Sequence, residues 1–384
     1  MLLKLIVKNA FRHRLRTGLT LLGVTVAVLA FGLLQTVVGA WFAAADATSR
    51  TRLVTRNAIS LVFPLPLSYL QKIRAVPGVM QVSHSNWFGG VYVSERNFFP
   101  QFAVDAQSYF RLYPEFLVEP GEMQAFLRDR QGAVVGRRLA QRFGWRLGDT
   151  VSLRGTIWPG TWRFTIRGIY RGAEAGTDEG LFFFHWRYLN ETAQRNYPRR
   201  ANTVGVFILG IDDASRAAAI SSAVDALFRN SLAETRTETE KAFQLSFVSM
   251  TEAILLAIQA VSYVVIVIIL AVMANTMAMT ARERLAEYAT LKALGFGPGF
   301  VRLLVYGESL AIALLGGALG MLLSFPAAEA FGAQLASLFP VFSIRPETLG
   351  LQALAALLVG LIAALVPAEK GARVNIVAGL RSVA

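Results

Sequence analysis

Ala281-Arg-Glu-Arg-Leu-Ala-Glu-Tyr-Ala-Thr-Leu-Lys-Ala-Leu-Gly-Phe296 is a charged, helix-forming stretch set between two long apolar runs. The run before it ends near Thr280 and the next begins near Leu303. A charged connector that closes on Gly295-Phe-Gly-Pro298 cannot rest in hydrocarbon, so it is expected in water between two membrane spans. The chain around it has 384 residues, 54% of them apolar. Four stretches reach the roughly 20 apolar residues that cross a bilayer. They are 17–40, a run within 246–279, 303–325 and 349–366. Residues 42–245 form a more polar block, large enough for a core of its own. The expected fold is a membrane α-helical protein with four transmembrane helices. A large mixed α+β extracytoplasmic domain is inserted between helices 1 and 2.

The net charge of +13 could suggest nucleic acid, but its distribution points to a membrane instead. Lys4, Lys8, Arg12, Arg14 and Arg16 precede the first span with no acidic residue among them. Arg282, Arg284, Lys292 and Arg302 lie in the connector, residues 281–302, and Lys370, Arg373 and Arg381 in the tail, residues 367–384. The short connector between spans three and four, residues 327–348, has Arg345 as its one basic residue. Lysine and arginine are retained on the cytoplasmic side, so both termini and the 281–302 connector are expected there. The chain is then expected to be a multi-pass membrane protein with its large domain on the far side of the bilayer. Residues 1–16 alternate apolar and basic positions, as in an amphipathic helix lying on the anionic inner leaflet. The apolar run 17–40 exceeds the core of a signal peptide and is read as an uncleaved span despite Ala43-Ala44-Ala45.

Within the polar block, a helix over Tyr69–Ala75 is stopped by Pro77-Gly78, and Val79–Ser83 alternates as a strand. Ala133–Val135 reads as a strand feeding a helix to Phe143. Thr150–Leu153, Arg163–Tyr170 and Thr203–Leu209 read as further strands, and Asp212 or Asp213 caps the helix that follows. From Ile211 to Leu294 there is neither glycine nor proline. The part from about Ala233 to Met279 is expected as one helix, a stalk projecting on the order of 30 Å beyond the bilayer. The competing reading is two helices broken near Ser246.

Several chemistries have no support in the residues. No Gly-x-x-x-x-Gly-Lys-Ser/Thr pattern occurs, so ATP phosphates have no evident cradle. There is no cysteine, and His13, His84 and His185 are scattered without ligand spacing, so no metal site is expected. No nucleophile triad or catalytic carboxylate pair stands out. The chain is therefore read as a non-enzyme with no cofactor. Gly316 and Gly320 form a Gly-x-x-x-Gly in the third span, a candidate for close helix packing within the chain or between two copies. Glu308 lies about one and a half turns into that span, close enough to its edge to pair with Arg302 or a headgroup. Glu252, at the outer rim of the second span, is a candidate for lining a lateral entrance between protomers.

The connector resembles the coupling segment of FtsX/MacB-type (type VII) ABC transporter permeases, whose pattern runs R-E-R-x-x-E-I-G-x-L-K-A-L-G. Arg282, Glu283, Arg284, Glu287, Leu291, Lys292, Ala293, Leu294 and Gly295 match, while Tyr288-Ala289 stand where Ile-Gly is usual. The stretch Asn9–Gly23 is similar to the family's lead-in to its first span. Val134–Asp149 resembles a unit of the MacB-like periplasmic core, V-V-G-x-x-L-A-x-x-x-G-W-x-x-G-D. Pro367-Ala368 and Leu380-Arg381 match the family's tail, where Asn375-Ile376 replace an expected proline region. The resemblance implies a core of two lobes, the middle one near residues 90–200. It implies that Arg282, Glu283, Arg284, Glu287, Leu291, Lys292, Leu294 and Gly295 face a separate ATPase, two copies of which serve two permease protomers. ATP binds on that partner, and its closure drives mechanotransmission through the stalk to the exported domain. The cargo implied is an amphiphile such as a lipid, lipoprotein, lipopeptide or toxic compound. A membrane-fusion adaptor and an outer-membrane duct are implied as further partners beside membrane lipid, and nucleic acid is not. The alternative is a non-transporting regulator that switches an extracytoplasmic partner such as a cell-wall hydrolase.

Overall fold

The computed structural model describes residues 9–10, 12–46, 48–174, 176–249, 251–335 and 342–376. Residues 1–8 and 11 of the expected lead-in helix, and 377–384 of the tail, lie outside them. Two compact units form, one from residues 41–250 and one from the four long apolar helices with their connector.

Helix α1 (Arg14–Asp46) leads into the first of these units. Next come β1 (Arg52–Asn57), β2 (Leu65–Pro66), α2 (Tyr69–Arg74), β3 (Val79–Trp87), β4 (Gly90–Val91) and β5 (Gln101–Val104). They are followed by α3 (Ala106–Leu112), β6 (Phe116–Leu117), α4 (Pro120–Arg128), β7 (Gly132–Gly136) and α5 (Arg137–Phe143). Then come β8 (Thr150–Gly155), β9 (Gly160–Gly172), β10 (Phe182–His185) and α6 (Trp186–Asn196). The unit closes with β11 (Thr203–Val204), β12 (Val206–Ile211), α7 (Ala217–Leu227), β13 (Thr235–Thr239) and α8 (Glu240–Ser249). One mixed sheet runs β13-β1-β12-β3-β5-β10-β7-β9-β8-β4, with β6 beside β9, and β2 pairs with β11 apart from it.

Both faces of the sheet are covered, which explains the uninterrupted apolar run of β10. Phe182 and Phe184 enter one core cluster with Ala133 and Val135, whereas Phe183 enters another with Val134, Tyr170 and Ile208. Successive side chains of a strand point to opposite faces, so a four-residue strand buried throughout must be sandwiched. Glycine punctuation sets the ends. Gly78 takes φ +97 just after α2, and Gly144 takes φ +69 at the close of α5, where a side chain would strain the left-handed backbone. Asp213, rather than Asp212, caps the turn before α7, its carboxylate accepting from the Ser215 N–H at 2.8 Å.

The stalk expectation needs correction. Thr235–Thr239 is strand β13, paired along its length with β1, and does not begin a helix. Its alternating threonines fit a pleated edge beside β1 better than a helix surface. Helix follows in two pieces, α8 to Ser249 and α9 (Glu252–Glu283), with Thr251 at φ −109, ψ 11 outside helical geometry.

The other unit holds the four helices long and apolar enough to cross a membrane. They are α1, α9, α11 (Pro298–Leu335) and α12 (Pro346–Ala372), and α10 (Leu285–Ala293) connects α9 to α11. The second apolar helix starts later than the expected residue 246. The third and fourth run on through Pro326 and Pro367, past the expected ends at 325 and 366. Glycines let the helices close on one another. A Cβ on Gly316 would stand 2.9 Å from Val24 Cβ, and one on Gly320 2.8 Å from the Thr25 carbonyl oxygen. Gly317 meets Ala356 and Gly360 meets Ala313 in the same way. In this structure Gly316 and Gly320 therefore pack against α1 of the same chain. Without a strong hydrophobic drive between helices in lipid, such close contact is a main source of helix association.

Candidate coupling site

The connector begins where α9 ends. Arg284 leaves helical geometry (φ −108, ψ 14) and the chain restarts as α10. Its end is a glycine-closed cap. The Phe296 N–H reaches the Leu291 carbonyl at 3.1 Å, the Gly295 N–H reaches that of Lys292 at 3.1 Å, and Gly295 sits at φ +93. That is the Schellman arrangement, which needs a left-handed residue at this position.

The charges are used mostly within the chain. Arg284 is buried, donates to Glu287 at 2.9 Å and to Glu308, and lies 5.4 Å from the Tyr288 ring centroid. Glu308 thus pairs with Arg284 rather than with Arg302 or a headgroup, the two partners expected from sequence. Arg302 instead grips Glu369 at 3.0 and 3.3 Å. The expected pairing followed nearness in sequence, whereas the turn at Arg284 swings its guanidinium back over α11. Glu287 also accepts from Arg12, and Glu283 takes a two-point contact from Arg16 at 2.8 and 2.9 Å. Lys292 donates to the carbonyls of Ala372 and Val374 at 3.1 and 2.8 Å, capping the end of α12. Burial works to raise the Glu287 carboxyl, but the hydrogen bonds from Arg284 and Arg12 outweigh it and hold the group below its ordinary range. Burial pushes the Tyr288 hydroxyl up to about 12.

Tyr288 and Ala289, the departures from the family pattern, are both buried. The Tyr288 ring lies where a Cβ on Gly371 would come within 3.2 Å, so it fills the space beside that glycine. What remains outward is Arg282, Thr290, Ala293, Leu294 and Phe296, with Leu294 71% exposed and Phe296 stacked on Phe300 at 4.6 Å. Of the eight expected coupling residues, Arg284, Glu287 and Lys292 are engaged inside the chain, and Leu291 is half-buried. Glu283 is exposed but paired with Arg16. Arg282, Leu294 and Gly295 face outward, and Glu252 is exposed in the first turn of α9. Sequence reasoning missed the partners Arg12 and Arg16. The signal was present: two bases just before the first span, matched by Glu283 and Glu287 just after the second.

The fold and this site define a membrane permease component, with a large α/β domain between its first two apolar helices. A sequence model of the MacB-like periplasmic core domain matches residues 17–227, and one of the FtsX-like permease C-terminal domain matches 260–376. The chain belongs to the FtsX/MacB-type ABC transporter permeases. An uncharacterized ABC transporter permease protein of Mycobacterium tuberculosis is 26% identical over 204 residues, 53% of this chain. The match covers 22% of that relative's length. The extracellular domain of the noncanonic ABC-type transporter YknZ from Gram-positive bacteria aligns over 49% of this chain and 100% of its own. It does so at 11% identity and a TM-score of 0.37.

Proposed function

We propose that this chain is the permease subunit of an ABC transporter whose ATPase is a separate protein, two copies of which dock on the connectors of two permease protomers. The observation that carries this reading is the way α10 is tied to three of the four long helices. Glu287–Arg12 joins it to the start of α1, the Arg284–Glu308 pair at its start joins α11, and Lys292 holds the end of α12. A displacement of its exposed end, Leu294 to Phe296, would be passed to those helices together. ATP is bound and hydrolysed on the partner, and the permease converts the motion into work on its extracytoplasmic domain. Both termini and the connector lie in the cytoplasm of a bacterial cell with the chain in its inner membrane. The cargo is an amphiphile taken from the outer leaflet or the periplasm, with an adaptor and an outer-membrane duct where the envelope has them.

The test uses the outward residues, because charge reversal at Glu287 would also unbalance Arg12 and Arg284. Leu294→Glu places a charge where an apolar partner surface should seat. Co-expressed ATPase should no longer co-purify, and permease-stimulated ATP hydrolysis should fall at least tenfold, with the melting temperature unchanged. Normal co-purification and stimulation in both Leu294→Glu and Phe296→Glu would remove the connector as the docking point.

A further inference from the structure

The domain of residues 41–250 carries an apolar platform on its surface that its own core does not use. Trp87, Phe98 and Ile157 are 40, 55 and 45% exposed, although their neighbours Phe88, Phe99 and Trp158 are buried. The rings of Trp87 and Phe98 lie 6.3 Å apart. A Cβ on Gly89 would stand 3.0 Å from Ile157 Cδ1 and 3.1 Å from Trp87 Nε1, so Trp87 is flanked by Ile157 and by Phe98. Gly89, at φ +65, makes the tight turn that brings them together. The platform is braced from beneath: the Trp158 indole N–H donates to the Trp87 carbonyl at 3.4 Å, and the Thr156 N–H to that of Gly89 at 3.4 Å.

Two guanidinium groups edge this surface. Arg142 donates to the Phe98 carbonyl at 3.4 Å, and Arg200 donates to the Ile157 carbonyl at 2.5 Å while lying 5.9 Å from the Trp158 ring centroid. Both side chains are exposed, and among the described residues neither has a carboxylate within ion-pair distance. Each is anchored by one donor and keeps the rest of its fork for an anion. The loop that returns to Phe98 contains Val93, 84% exposed and held at φ +60, where the Ser94 N–H reaches the Tyr92 carbonyl at 2.6 Å. A β-branched residue in that region costs about 1–3 kcal/mol, a kind of strain that clusters at ligand-binding loops.

We propose that Trp87, Phe98 and Ile157 bind the apolar chain of an anionic amphiphile whose phosphate or carboxylate head is held at the rim by a guanidinium, that of Arg142 beside Phe98 or that of Arg200 beside Ile157. This rests on the amphiphile reading given above and adds the sign of the head group and the place of binding. Three side chains are too few for a protein partner, since a stable interface takes about 800 Å² from each side. A single acyl chain with a bidentate-accepting head matches both the platform and its rim.

The experiment uses the full chain in a non-ionic amphipol with 5-fluorotryptophan at all six tryptophans, the Trp87 resonance being assigned through Trp87→Phe. Dihexanoylphosphatidylglycerol, below its micelle concentration, should shift the Trp87 resonance. Dihexanoylphosphatidylcholine should need at least tenfold more. The Arg142→Gln/Arg200→Gln pair should erase that difference, and Phe98→Ser should weaken both lipids, while the resonance of buried Trp162 stays in place to report an intact fold. The proposal is overturned by a Trp87 resonance that ignores the anionic lipid, by equal response to both lipids, or by a response to hexaglutamate alone. ATPase co-purification, measured on the same variants, should be normal, so a failure here is distinct from a failure of the coupling reading.

Discussion

Arg284 is the residue on which the connector turns, and its burial sets the energetics. A buried guanidinium with a lost partner is far costlier than no ion pair at all, because desolvation is no longer offset. Glu308→Gln should therefore lower the stability of the membrane unit by about 3 kcal/mol. Arg284→Met with Glu308→Leu should recover most of that loss, read from the melting temperatures of the purified variants. A double variant worse than the single one would show that the charges themselves hold the turn. In the other unit, His84 is buried against Trp186, and its Nε2 has no hydrogen-bond partner among the described residues. Burial, only partly opposed by Asp105, lowers its pKa to about 4 from an ordinary 6.5. The folded state then binds fewer protons than the unfolded chain between those two values. The contribution is intact above pH 6.5 and is lost as pH falls toward 4, on the order of 3 kcal/mol in all. The unit's melting temperature should fall from pH 7 to pH 5, and His84→Phe should flatten part of that fall. An equally steep fall in the variant would assign the whole effect to other groups. At this scale the sequence disclosed identities but not partners. Glu308 stood out as an intramembrane carboxylate, whereas a pair separated by the turn at Arg284 cannot be seen from local spacing.

Element ends were the most legible feature, because glycine, proline and capping aspartate fix them by local chemistry. Pro77-Gly78 closes α2, Gly144 closes α5 and Asp213 opens the turn before α7, as the residues themselves require. Strand β13 was not legible for the converse reason, since a stretch free of glycine and proline carries no stop signal. Thr235, Thr237 and Thr239 did alternate, but pairing with β1, some 180 residues away, decided the outcome. The same pairing places Glu240, first residue of α8, beside Arg52, first residue of β1. Arg52 binds Glu240 at 2.6 Å and Glu115 at 2.6 and 3.0 Å, and sits 4.2 Å from the Tyr113 ring centroid. Tyr113 donates to the other Glu240 oxygen at 2.8 Å. The segment that follows α1 and the one that precedes α9 are thereby locked to each other inside one domain. Arg52→Met leaves two carboxylates facing each other, Glu240→Gln leaves the arginine with Glu115, and Glu115→Gln removes the more exposed partner. Destabilisation should fall in that order, from about 4 kcal/mol downward. A proteolysis midpoint in urea would measure it, and a Glu115 variant as damaged as the Arg52 variant would contradict the arrangement.

For the whole molecule the issue is which side of the membrane each part occupies. The start of α1, the end of α9, the start of α11 and the end of α12 meet at one end of the four-helix unit, through Arg16–Glu283, Arg284–Glu308 and Arg302–Glu369. Arg345 and Glu347 pair at the start of α12, Thr251–Glu252 begin α9, and each long helix therefore runs from one group of ends to the other. That alternation is what four single crossings require. Among the described residues at the connector end, Arg12, Arg16, Arg284, Arg302 and Arg373 share four glutamates, while Arg14, Arg282, Lys292 and Lys370 have no acid partner there, so that end stays positive. The retention rule counts lysine and arginine in short flanking segments and gives carboxylates little weight, so the connector end should be cytoplasmic. A reporter that is active only outside the cytoplasm makes the test. Gly160 suits the insertion, being exposed, at φ +119 where the hairpin turn meets β9, with no neighbour nearer to a notional Cβ than Trp162 Nε1 at 3.9 Å. The reporter placed there should be active, and fused after Ala384 it should be silent. Activity at Ala384 with silence at Gly160 would invert the molecule and put the connector beyond the reach of any cytoplasmic ATPase. Activity at both sites would mean an even number of crossings between them, so that one of α9, α11 and α12 does not span.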